Sequence, residues 1–187
     1  NLRLIKDTEI VDGVSTVSVE DCFSADYDVY KITINNLSHN SGSPAEIYYK
    51  FINSAGFVIS ASEYDSASLR FPTSSAFGIT NIQNHTQTVI MGYADLSPEA
   101  SGFVSYVFNP FSSTRYTYLL NQNFSAVSAG GYGQESIGVL TQLASMTGFH
   151  IMASSNTLDS GNIKIYGLRV DSWWVYYKYQ QQQYQVQ

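Results

Sequence analysis

Short stretches in which apolar and polar residues alternate, each closed by Gly, Pro, Asn or Ser, recur through residues 1–171 and leave this chain little choice of fold. Alternation with period two puts one set of side chains on each face of a strand, and Gly or Asn at the breaks accepts the positive φ of tight turns. The clearest case is residues 28–34, where Tyr30, Ile32 and Ile34 share one face and Lys31 and Thr33 the other. Residues 45–52 repeat it, with Ile47, Tyr49 and Phe51 opposite Glu46, Tyr48 and Lys50. Asn53-Ser54-Ala55-Gly56 then predicts a hairpin turn into residues 57–60.

Further strands are expected at residues 2–5, 14–19, 86–93, 103–108, 114–120, 137–143, 149–153 and 160–171. Residues 103–108 are apolar on both faces, which fits a central strand, and Tyr116, Tyr118 and Leu120 share a face. Residues 62–69 suggest a helical turn, residues 73–84 an irregular surface, and residues 121–134, centred on Gly130-Gly131-Tyr132-Gly133, a loop. About ten strands with almost no helical periodicity predict an all-β fold, a jelly-roll-like antiparallel β-sandwich over residues 1–171.

Residues 172–187 differ. Trp173, Val175, Tyr177 and Tyr179 alternate with Trp174, Tyr176 and Lys178, Tyr184 follows among glutamines, and no Gly or Pro interrupts them. A segment with such β-propensity and so little charge aggregates when left free. It is expected to be an extended C-terminal arm that adds to a neighbour's sheet edge or lies along another subunit, with the domain's own last strand as the competing reading. Trp173, Trp174, Tyr176, Tyr177, Tyr179 and Tyr184 are the candidate partner contacts. In residues 160–171, Ile163 and Ile165 point one way while Tyr166, Leu168 and Val170 point the other, so the buried face is expected to change near Gly167, which would act as a hinge for the arm.

A formal net charge of −6 with scattered basic residues argues against nucleic-acid binding. No stretch of about 18 apolar residues predicts membrane insertion. Charged residues make up 13% of the chain, about half the usual share, which suits a surface covered by partners. Cys22 stands alone and reads as a small buried hydrophobe. His39, His85 and His150 share no ligand spacing, and Glu20, Asp21, Asp26 and Asp28 lack the glycine of a calcium loop. No nucleophile elbow or phosphate loop occurs, so neither an enzyme nor a cofactor is expected. Three Asn-x-Ser/Thr triplets, at Asn36, Asn84 and Asn123, read as loops. Gly130-Gly131-Tyr132-Gly133 and Tyr48 are candidate sugar-facing residues, weighed against ordinary strand aromatics and a flexible loop.

The opening Leu2-Arg3-Leu4-Ile5-Lys6, the stretch from Phe23-Ser24-Ala25-Asp26 to Tyr30-Lys31-Ile32, and the ending Asp159-Ser160-Gly161-Asn162-Ile163-Lys164-Ile165-Tyr166-Gly167-Leu168 together resemble virion structural proteins of tailed phages infecting marine bacteria. The resemblance covers residues 1–171. It implies a non-enzymatic head-decoration or tail-fibre sandwich at the virion surface, with other capsid or tail subunits as partners. A homo-oligomer, a trimer being one arrangement, is expected with it. The alternative is a lectin-like receptor-binding module that recognises host surface glycans.

Overall fold

A computed structural model describes residues 1–40, 44–94, 100–127 and 130–168. Their twelve strands are β1 (Leu2–Ile10), β2 (Thr16–Val19), β3 (Val29–His39), β4 (Ala45–Asn53), β5 (Tyr64–Pro72), β6 (Gly78–His85), β7 (Thr88–Ala94), β8 (Ser101–Phe108), β9 (Thr117–Val127), β10 (Gly130–Leu140), β11 (Met146–Ala153) and β12 (Leu158–Leu168). They form an all-β sandwich of two antiparallel sheets. The larger has the order β1-β12-β3-β8-β9-β10-β5-β6, and the smaller β2-β11-β4-β7.

Alternation explains the core. Tyr30, Ile32 and Ile34 of β3 point inward beside Ile163 and Ile165 of β12 and Phe103 and Val107 of β8, and meet Tyr49, Phe51, Phe149 and Ile151 of the smaller sheet. Tyr49 stacks on Phe149 at 4.9 Å, and Phe23 meets Tyr30 edge to face at 4.8 Å. Tyr64 hides its ring but not its polarity: its hydroxyl accepts from the Phe51 N–H at 3.0 Å and donates to the Ile59 carbonyl at 3.2 Å. A polar tip bonded in this way lets an aromatic fill a core without an unpaired group, whereas the fully buried Tyr49 hydroxyl has no partner among the described residues.

Several local expectations change. Residues 64–69 lie in β5 rather than a helical turn, because Ser66 and Ser68 face inward while Ala67 and Leu69 face outward. Residues 73–84 are not all irregular, since β6 starts at Gly78 and pairs with β5 from Arg70↔Gly78 onward. Residues 121–127 and 130–134 are the facing parts of β9 and β10, paired up to Val127↔Gly130. The turn at residues 53–56 forms, with the Asn53 side chain accepting the Ala55 and Phe57 N–H groups, but residues 57–60 contribute only an isolated bridge, Ile52↔Val58.

The last described strand is neither an edge nor a hinge up to Leu168. β12 lies between β1 and β3, and its pairing with β3 is regular from Asn162 to Leu168. Its buried face does not change at Gly167. Ile163, Ile165 and Gly167 all point inward, and Lys164, Tyr166 and Leu168 all point outward. Glycine is required at 167 because the Tyr27 ring lies across it; an added Cβ would come within 2.6 Å of that ring.

Candidate assembly interface

The larger sheet reverses its character from one end to the other. Cross-strand rows make this visible. The inward row Ile165–Ile32–Ser105–Asn121–Ser136–Ser68 starts apolar on β12 and β3 and becomes polar from β8 onward. The row beside it, Ile163–Ile34–Phe103–Asn123–Gln134–Arg70, turns polar one strand later, at β9.

The asparagines of this buried polar half are bonded within it, whereas the Ser68 and Ser125 hydroxyls have no partner among the described residues. Asn121, with 0% exposure, accepts from the Ser105 hydroxyl at 2.7 Å and donates to the Ser136 hydroxyl at 3.3 Å. Asn123 donates to the Gly102 carbonyl at 3.1 Å and accepts from the Tyr93 N–H at 3.3 Å. β7 covers this half: Thr88 packs over Gly138, and at Gly92 any Cβ would collide with the Asn123 side chain.

The outer face runs the opposite way. At the β1–β12–β3 end it carries Lys31, Lys164 and Asp7, the last two in an ion pair at 3.5 Å. At the β9–β10–β5–β6 end it carries Tyr118, Leu120, Phe124, Ile137, Leu69 and Ile79. Ile79 is 80% exposed, Phe124 67% and Ile137 59%. A depression of about 500 Å³, bordered by Ala67, Phe108, Tyr118, Leu120, Ile137 and Val139, opens on this face. The rings of Phe124 and Phe71 lie over Gly102 and Gly133, where a Cβ would collide with them. Those glycines let the aromatics lie flat against the sheet. The exposed Gln122–Glu135 pair, bonded at 3.0 Å, interrupts these apolar side chains, and apolar surface of this extent marks an interaction surface.

The two edges of this sheet also differ. β1 carries Arg3, Lys6, Asp7 and Glu9 and has a register shift between Leu4 and Lys6, both of which oppose pairing with another strand. β6, Gly-Ile-Thr-Asn-Ile-Gln-Asn-His, has no Asp, Glu, Lys, Arg or Pro, and its register shift is confined to the end between Ile82 and His85. Its far side pairs with no strand among the described residues.

No protein-family model matches this sequence, and no curated protein matches it closely enough to count as a relative.

A second cluster forms at one rim. Tyr48 and Tyr132, which the sequence offered separately as sugar-facing residues, are joined through Glu46, Tyr93 and Arg70. The Tyr48 hydroxyl donates to one Glu46 oxygen, and the Tyr93 hydroxyl to the other at 3.3 Å. Tyr93 meets Tyr132 edge to face at 4.9 Å, and the Arg70 guanidinium bonds both. Burial, with Tyr93 beside it, pushes the Tyr132 hydroxyl up to about 12. A depression of about 380 Å³ lined by Arg70, Ser74, Ser75, Gly130, Gly131 and Tyr132 adjoins it.

The remaining candidates stay apart. Cys22 is buried, and burial raises its thiol to about 12, which keeps it protonated and unreactive. His39 accepts the Ala45 N–H at 3.0 Å inside the domain, whereas His150 meets the Ser18 hydroxyl at 2.8 Å near the surface. Among the described residues no three His, Cys, Asp or Glu groups converge as metal ligands. Trp173, Trp174, Tyr176, Tyr177, Tyr179 and Tyr184 lie outside the described residues.

Sequence reasoning missed the apolar outer face because Tyr118 and Leu120 announce a strand without saying which side is covered. The signal was the opposite side of the same strand, Asn121, Asn123 and Ser125, whose amides and hydroxyls need partners when buried.

Proposed function

We propose that this chain is a structural subunit of a virion surface, decorating or cementing a capsid or forming part of a fibre, held to its neighbours through the outer face of β9, β10, β5 and β6. The observation that carries this reading is the reversal of the larger sheet, which buries amides and hydroxyls while leaving Ile79, Ile137 and Phe124 in water. A domain that spends its hydrogen-bonding side chains inside and keeps aliphatic ones outside is built to be covered. The sequence resemblance to phage virion proteins supplies the setting, and a non-enzymatic role belongs to the same proposal.

A jelly-roll-like path supports it. The chain alternates between the sheets from β1 through β5, and β2 ends beside β11 in the smaller sheet. β1-β12-β3-β8 in the larger sheet and β2-β11-β4-β7 in the smaller keep the strand order of the two four-stranded jelly-roll sheets, with the β5–β6 and β9–β10 hairpins extending the larger sheet beyond β8.

Ile137→Glu should abolish incorporation into particles while leaving the circular dichroism of the soluble chain unchanged. Normal incorporation would overturn the assignment of this face. The rim cluster of Tyr48, Tyr93, Tyr132 and Arg70 favours a second reading, a lectin-like module for host surface glycans. Adsorption of the soluble chain to host cells, lost on Tyr132→Ala, would support it, and no adsorption would count against it.

A further inference from the structure

We infer that β6 of one copy accepts the C-terminal arm, residues 172–187, of a second copy as an added strand. This rests on the reading of the chain as an assembling subunit and names the contact. β6 is eight residues long, has no Asp, Glu, Lys or Arg, and along Gly78–Ile82 offers an outer row of backbone N–H and C=O groups that no strand among the described residues pairs. Native edges are ordinarily blunted by charge, proline or a bulge, as β1 is here. β6 bulges only between Ile82 and His85, and its regular part, Gly78–Ile82, without charge or proline, fits an occupant that is itself an extended segment.

The arm has the matching chemistry. Its Trp173, Val175, Tyr177 and Tyr179 alternate with Trp174, Tyr176 and Lys178 over a stretch free of Gly and Pro. Laid beside β6, one of these sets continues the outer apolar face next to Ile79 and Leu69.

Reach decides between the chain's own β6 and a neighbour's. β12 ends at Leu168, paired with Leu2 of β1, and β6 is six strand positions away in the same sheet. A strand added outside β6 is one position further, so at roughly 4.8 Å per strand the crossing is about 34 Å, or about ten residues of extended chain. A self-paired arm would therefore use up Trp173, Trp174 and Tyr176 on the crossing and bring mostly glutamine to the edge. An arm donated to another copy needs no crossing, so its aromatic half can pair.

The test uses the fact that the only two tryptophans of the chain are Trp173 and Trp174, so its tryptophan emission reports on the arm alone. The acceptor variant is Ile79→Lys, at a side chain already in solvent, with Asn81→Lys as a second one on the same face of β6. The donor variant is Trp173→Lys with Trp174→Lys, which is also free of tryptophan. In the parent chain, sedimentation should show an oligomer and the emission should be that of shielded indole. Each acceptor variant should weaken association by at least about tenfold and red-shift the emission, with unchanged circular dichroism. Mixed one to one, an acceptor and the donor variant should form a heterodimer with shielded emission restored, because one functional arm and one functional edge remain. A parent that is oligomeric, with mass and emission unaffected by both acceptor variants, would overturn the β6 contact and leave the assembling reading intact. A parent that is monomeric at every concentration would overturn both. A monomeric acceptor variant that gains no partner on mixing would show that the arm pairs within its own chain and overturn exchange.

Discussion

The β12–β3–β8 half of the larger sheet and its β9–β10–β5 half solve the same problem with opposite materials. The first half buries Ile32, Ile34, Ile163 and Ile165 against the aromatics of the smaller sheet and shows Lys31 and Lys164 to water. The second half buries Asn121, Asn123, Gln134 and Ser136 beneath β7 and shows Leu69, Ile79 and Ile137. The lesson is that strand alternation specifies two faces, while the chain that covers one of them decides which is the inside. In the first half the driving force is transfer of aliphatic surface out of water. In the second it is the satisfaction of buried amides, which contributes less to stability but fixes the register of β9 against β8 and β10.

The comparison can be broken by substitution. The largest effect is expected for Ile32→Ala, a fully buried site in the aliphatic half, which should cost roughly 2–5 kcal/mol in urea unfolding; a loss under about 1 kcal/mol would mean that this half is not the stabilising one. Asn121→Ala in the polar half should cost less, about 1–3 kcal/mol, because Ser105 and Ser136 lose a partner. Gly167→Val tests the close approach of Tyr27, and displacement of that ring should cost about 1–3 kcal/mol. Leu69→Ser on the outer face should change the stability of the isolated domain by less than about 0.5 kcal/mol, as surface substitutions do, and act on assembly instead.

The smallest effect concerns pH. Burial, with Lys50 beside it, lowers the His150 pKa below its ordinary value of 6.5 in the folded chain. The unfolded chain then binds the proton first, so the contribution of His150 is full above pH 6.5 and falls as the pH drops from there through the lower folded value. His150→Gln should remove that part of the pH dependence, as followed by thermal melting at pH 5 to 7.5.

Much of the first half was legible in the sequence. Tyr30, Ile32 and Ile34 alternate with Lys31 and Thr33, so period and inside face coincide. The second half was not, for three physical reasons. In β9 the aromatic side is the outside, a choice made by β7, which is distant in sequence. In β5, Ser66, Ala67 and Ser68 are all small and give no period. β6 has isoleucine only at 79 and 82, an odd spacing that defeats alternation. The rim cluster was legible only as separate residues, since Tyr48 and Tyr132 are 84 positions apart and meet only through Glu46, Tyr93 and Arg70. Of the arm, the sequence supplied the pattern and the lack of charge, while the edge we assign to it depended on seeing which strand ended the sheet.

The charged strand β1 and the uncharged strand β6 are the two ends of one sheet, and the arm departs next to the charged end. Joined arm to edge, copies would have a front and a back. A contact of that kind is head to tail: it closes into a ring when the rotation per copy divides a full turn and grows into an open fibre when it does not. The rotation is set by the stretch between Leu168 and the first paired residue of the arm, so insertions or deletions there should change the number of copies in the assembly before they change the fold.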